Sequence, residues 1–288
     1  MLKIKLLAVL IFCSCILFAQ EKRIIVIMAH PDDCELTTGG TAILLSKMGY
    51  KVKYVSLTNG NAGHHMGTKN ELAVRRYLET QEVAKRLPCD YEVINNDDGK
   101  LIASLENRLE VIRLIREWKA DIVITHPPYD YHPDHRNTST LVQDAAFMVK
   151  VPKIVPDVPA LRQNPLFLYA KGRYNKAETD IIVDISSVTK EKAYVLDSHV
   201  SQFYEWLPWV DNSTTPIPET KEGRLKYMEE RYVLRRGALR DTDKIALEKW
   251  YGAQHVQMVK AAEAFEICQF GRSVTDQDIR ELFPMFNK

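Results

Sequence analysis

The chain has 288 residues, 45% of them hydrophobic, with 39 basic against 38 acidic side chains and a formal net charge of +1. Near-neutrality without a basic stripe argues against nucleic acid as a partner, and no apolar run beyond the N-terminus is long enough to cross a bilayer. The length allows one large core, as a single domain or as a domain with an extension.

The first predicted element stands outside the fold. "MLKIKLLAVLIFCSCILFAQ" joins two lysines, an apolar run and the small residue Ala19, the pattern of a secretory signal peptide. Cleavage after Ala19 would start the mature chain at Gln20, and the alternative is a lipoprotein signal acylated at Cys15. Either route predicts an exported protein, periplasmic or secreted. Loss of Lys3 and Lys5 leaves 37 basic residues against 38 acidic ones. Cys34, Cys89 and Cys268 remain, an odd and widely spaced set that does not read as a disulfide framework or a cysteine metal site. Any metal must therefore be held by His and Asp.

Strands are predicted at 24–28, 52–57, 91–94 and 121–125, with a weaker one at 180–184, and helical patterns at 39–48, 70–87 and 105–118. The last carries Leu105, Leu109, Ile112 and Ile115 on one stripe. Strands alternating with helices of this length predict an α/β fold, with a mostly parallel sheet covered by helices on both faces. Residues 150–168 are proline-rich and read as a surface loop, and helical patterns recur at 221–236 and 245–265. The expected division is a signal peptide at 1–19, an α/β domain at 20–210 and a helical extension at 211–288.

Two polar clusters follow strands without a gap. "AHPDDCE" (29–35) leaves the strand "IIVIM", and "THPPYDYHPDH" (125–135) leaves the strand at 121–125. Charged groups are costly to bury unless paired or bound to metal, and parallel sheets bind ligands beyond the carboxyl ends of their strands. Both clusters on one edge predict a site there. Two histidines and a carboxylate suit a catalytic divalent metal, and a further carboxylate can serve as base, so Asp32 and Asp33 can divide those roles.

These two clusters closely resemble the signature motifs of the PIG-L/LmbE-type zinc de-N-acetylases. Weaker matches occur in order along the chain: "TNGNAG" at 58–63, "RYLE" at 76–79, "DGKL" at 98–101, "KAYVLDSHVSQ" at 192–202 and "AEAF" at 262–265. The resemblance implies a Rossmann-like fold and removal of acetyl groups from N-acetylglucosamine in conjugates. It implies His30, Asp33 and His135 as metal ligands and Asp32 as general base. His132 would stabilise the oxyanion and protonate the leaving amine, with Asp134 orienting and charging His132. Arg76 is the implied substrate contact, with its neighbour Arg75 as the alternative, and Asp98 and His199 are candidates for the pocket. Zinc is the implied metal, with iron(II) as the alternative because the ligand set suits both.

Blander readings compete at several positions. His64 and His65 read as solvated loop histidines, with contact to substrate at the rim as the alternative. Trp206 and Trp209 suit either sugar stacking or core packing. The leading expectation is an exported deacetylase acting on an amino-sugar substrate, and homo-oligomerisation stays open. An amidohydrolase for another N-acyl bond comes second, and a non-catalytic carbohydrate-binding protein third.

Overall fold

The apolar run after the predicted signal forms β1 (Arg23–Met28), whose residues from Ile24 onward are fully buried. A strand covered on both faces reads as a continuous apolar run rather than an alternating one. Its alternate side chains enter two cores: Ile24, Val26 and Met28 on one face, Ile25 and Ile27 on the other. The computed structural model describes residues 21–172 and 178–287; the predicted signal segment at 1–19 lies outside the described residues.

The chain continues through α1 (Asp33–Lys47), β2 (Lys51–Thr58), α2 (Lys69–Arg86), β3 (Asp90–Asn96), α3 (Leu105–Trp118), β4 (Ile122–Thr125) and α4 (Pro133–Met148). Helix α2 starts at a capping box, with Thr68 and Glu71 satisfying each other's backbone N–H. Helix α4 starts with Pro133, whose missing N–H costs nothing in a first turn. Strands β5 (Leu166–Ala170), β6 (Ile181–Asp184) and β7 (Ala262–Ile267) complete a seven-stranded sheet ordered β3-β2-β1-β4-β5-β7-β6. The pairs among β1 to β5 are parallel, and β7 runs antiparallel to both β5 and β6. The expected α/β architecture with a mostly parallel sheet is present.

Two segments differ from the sequence reading. Strand β5 begins just after Pro165, inside the stretch read as a loop, and all five of its residues are buried. Strand β7 occupies residues read as helical, although "AEAFEI" also alternates with period two and buries Glu263 and Phe265. Its Glu263 carboxylate accepts the backbone N–H groups of Gly40 (2.8 Å) and Thr41 (2.7 Å) and pairs with Lys192 Nζ at 2.7 Å. This buried charge is satisfied only by partners on other elements, so nothing local announces it.

Candidate active site

Strand order reverses between β1 and β4, because the chain leaves β1 towards β2 on one side and later returns to β4 on the other. Such a switch point leaves a crevice at the carboxyl ends of the two strands. His30 enters it from β1, and His126, His132 and His135 from the segment after β4.

Three donor atoms meet there. His30 Nδ1 lies 3.1 Å from Asp33 Oδ2 and 3.1 Å from His135 Nε2, and the Asp33–His135 edge is 3.4 Å. Donors held tetrahedrally at about 2.0–2.1 Å from a zinc ion are separated by about 3.3 Å. The triangle therefore fits one small divalent ion. The remaining ring nitrogens face carboxylates. His30 Nε2 lies 3.2 Å from Asp98 and 3.3 Å from Asp134, and His135 Nδ1 is 2.9 Å from Asp130. Each carboxylate draws the ring proton to its own side, which aims the other nitrogen's lone pair at the common point. The arrangement favours positive charge: burial would lower His135, but Asp33 and Asp130 push it up to about 9.

The adjacent aspartates point to different partners. Asp33 faces the histidines, whereas Asp32 Oδ1 accepts from Arg76 Nη2 at 3.0 Å. Burial raises the Asp32 carboxyl to about 6, with Arg76 opposing the shift. His132 caps α4, its Nδ1 accepting the Asp134 backbone N–H at 3.2 Å. That bond places the neutral ring's proton on Nε2. A ring nitrogen of His132 lies within 4.8 Å of ligating nitrogens of both His30 and His135.

Asp134 acts on His132 through its backbone N–H and its charge, and not through a hydrogen bond from the ring to its carboxylate. Its carboxylate accepts the N–H groups of Gly99 (2.7 Å) and Leu101 (3.2 Å) and reaches His30 rather than the His132 ring. Arg76 is likewise no free substrate contact, since it is 2% exposed and donates to Pro31 O (3.0 Å), Asp32 and Gly60 O (3.2 Å). Gly60 and Gly63 make room for it: a Cβ would lie 2.6 Å from the guanidinium at Gly60 and 2.7 Å at Gly63. His199 is fully buried against Glu35 at 3.2 Å, so it too supports the site from beneath. Asp98 stays at the floor; burial would raise its carboxyl, but His30 and Arg76 hold it down at about 2.

Two residues within the second cluster carry parts that sequence reading left unassigned. His126 is buried, stacks on His135 with centroids 3.9 Å apart, and accepts the Ala29 N–H through Nε2 at 3.0 Å. Burial and His135 push it down to about 4, so it is neutral and fixes the β1 exit. Asp130 orients His135, and its place five residues before a ligand was the available signal.

Beyond Gly63 a groove of about 580 Å³ opens, lined by His64, His65, Arg75, Glu205 and Trp209 among others. His65 and Trp209 stack in parallel at 4.5 Å, and Trp206 stacks on Trp209 at 5.4 Å. His64 is not solvated as the bland reading had it: its side chain is only 5% exposed and reaches Glu205 at 3.1 Å. Arg75 makes a bidentate pair with the same Glu205, at 2.6 and 2.7 Å.

A mostly parallel sheet with a buried His/Asp cluster at its switch point, able to hold a metal ion, defines an α/β protein with an enzyme-like centre. The chain belongs to the GlcNAc-PI de-N-acetylase (PIG-L) family, whose pattern matches residues 25–146. It is 32% identical over 200 residues to diacetylchitobiose deacetylase of Thermococcus kodakarensis, covering 67% of this chain and 75% of that one. A probable N-acetyl-α-D-glucosaminyl L-malate deacetylase 2 of Bacillus cereus is 28% identical, covering 64% and 84%. Among solved structures, N,N′-diacetylchitobiose deacetylase from Pyrococcus horikoshii in complex with its inhibitor MPG superposes with a TM-score of 0.66 at 25% identity, over 88% of this chain and 86% of that one. GalB, the 4-carboxy-2-hydroxymuconate hydratase of Pseudomonas putida, shares the fold at TM-score 0.67 and 19% identity, over 88% and 98%.

Proposed function

We propose that this protein is an exported, metal-dependent hydrolase that removes the N-acetyl group from an N-acetylglucosamine-containing glycan or glycoconjugate. The observation that carries the reading is the triangle of His30, Asp33 and His135, with a carboxylate behind each histidine. The relatives named as deacetylases of amino sugars support the choice of substrate. Export, inferred from the first 19 residues, points to envelope or imported glycans.

His30, Asp33 and His135 would hold the ion, zinc by preference and iron(II) as the alternative. A divalent ion there supplies Lewis acidity, making water acidic near neutral pH and polarising a carbonyl. Asp32, whose carboxyl burial raises to about 6, takes the proton of the attacking water. His132 offers its Nε2–H as a hydrogen bond to the developing oxyanion, and the proton that Asp32 has taken from the water passes to the departing amine, which leaves only when protonated. Asp134, Asp98 and Asp130 hold the two ligand histidines in place. Arg76 fixes Asp32.

The hydratase neighbour shows that this fold hosts more than one reaction, so the test must read the product. Metal-loaded protein should release acetate from N,N′-diacetylchitobiose or a related acetylated sugar. Replacing His135 with alanine should remove both metal and activity. A metal-replete protein that releases no acetate from any acetylated amino sugar overturns the proposal.

A further inference from the structure

A second cavity, of about 490 Å³, adjoins the histidine cluster and has no part in the chemistry above. Two residues of its wall lie next to residues of the site. Thr37 lines it and donates through Oγ1 to the Asp33 carbonyl at 2.7 Å. Gly172 also lines it, and a Cβ there would lie 3.9 Å from Asp130 Oδ2, the carboxylate that orients His135.

The lining is cationic. Six basic side chains face three carboxylates, and each carboxylate already has a partner. Glu263 pairs with Lys192 at 2.7 Å, Asp243 with Arg240 at 2.9 Å, and Asp211 lies 3.9 Å from Arg231. Arg235 and Arg236 are exposed, and among the described residues no carboxylate pairs with either. They come directly after a turn of π-helix at Glu229–Leu234, and the Arg236 guanidinium carbon lies 5.9 Å from the ring centre of buried Tyr232. Single π turns recur at functional sites because the extra residue re-aims the side chains beyond it. A guanidinium fork matches the geometry of a carboxylate or phosphate, and a partly enclosed cleft with surplus charge of one sign concentrates ligands of the other.

We propose that this cavity is a subsite for an oxyanionic substituent, carboxylate or phosphate, carried by the amino-sugar substrate, with Arg235 and Arg236 as its recognition residues. The inference rests on the deacetylase reading, because it places the anion on a substrate whose acetamido group lies at the histidine cluster. It makes the preferred substrate a charged glycoconjugate rather than a neutral oligosaccharide.

Calorimetric titration of the metal-loaded protein with N-acetylglucosamine 6-phosphate, N-acetylglucosamine and inorganic phosphate tests this. The phosphate ester should bind at least about tenfold tighter than the neutral sugar, an advantage that falls as salt rises. The double variant Arg235→Gln/Arg236→Gln should lose that advantage. Its affinity for N-acetylglucosamine, and its acetate release from N,N′-diacetylchitobiose, should stay within about twofold of wild type, since neither arginine touches the reacting groups. Equal binding of ester and neutral sugar by the wild type overturns the proposal, as does an advantage that survives in the variant. Inorganic phosphate binding as tightly as the ester, and only with both arginines present, would make this a free-anion site and overturns it too. An arginine-dependent preference in a protein that releases no acetate would instead defeat the deacetylase reading and leave the oxyanion site standing.

Discussion

Truncating Arg76 to alanine removes the guanidinium that holds Asp32, and the loss should appear in stability and turnover before it appears in substrate affinity. The side chain is 2% exposed and makes bonds of 3.0 Å to Pro31 O, 3.0 Å to Asp32 and 3.2 Å to Gly60 O. Asp32 is itself only 8% exposed, so the variant leaves a buried carboxylate without its partner. Breaking one side of such a pair costs about 3–5 kcal/mol. For a domain of this size that lowers the melting temperature by roughly 10 °C. Turnover should fall by about 100-fold, because a general base displaced by an ångström no longer reaches its proton, while KM stays near wild type. Thermal unfolding followed by circular dichroism and steady-state acetate release measure both. Gly60→Ala should reproduce the phenotype, since its Cβ would lie 2.6 Å from the Arg76 guanidinium. A variant at position 76 with unchanged melting temperature and kcat but a raised KM would refute this reasoning and restore Arg76 as a substrate contact.

Further expectations separate the two aspartates and their neighbours. Asp33→Ala should lose metal and activity together, whereas Asp32→Asn should keep its metal by elemental analysis and lose turnover by about 10²–10⁴-fold; the reverse pattern would exchange the roles. Asp134→Asn should weaken metal affinity by about 10–100-fold, because its carboxylate lies on His30; normal metal content with lost turnover would return it to His132. Mass spectrometry of the exported protein should find Gln20 at the N-terminus, and a lipid on Cys15 would select the lipoprotein route instead.

Much of the site was legible because its parts are local. Strand β1 is an unbroken apolar run, and "AHPDDCE" and "HPPYDYHPDH" set their ligand candidates in the segments that directly follow strand ends, where a parallel sheet must place its ligands. Capping by Thr68 and the proline opening α4 are equally local. Strand β5 escaped because five residues after a proline in a proline-rich stretch carry little periodic signal. Strand β7 escaped because its alanines and glutamates favour helix, and only the edges of β5 and β6 overrule them.

The amino-acid sequence by itself determined the alternation of strands and helices, the two polar clusters and which residue types could hold a metal, since periodicity and short spacing are properties of the chain alone. Tertiary structure decided what each polar side chain meets. The Asp134 carboxylate meets His30, 104 residues away, and not the ring of its near neighbour His132. Arg76 crosses 44 residues to hold Asp32, and His126 crosses 97 to fix Ala29. Arg235 and Arg236 gain their meaning only from a cavity wall shared with Thr37 and Gly172. The reason is physical: a buried charge must find a partner somewhere, and the sheet's crossovers, not sequence distance, determine which groups come within reach.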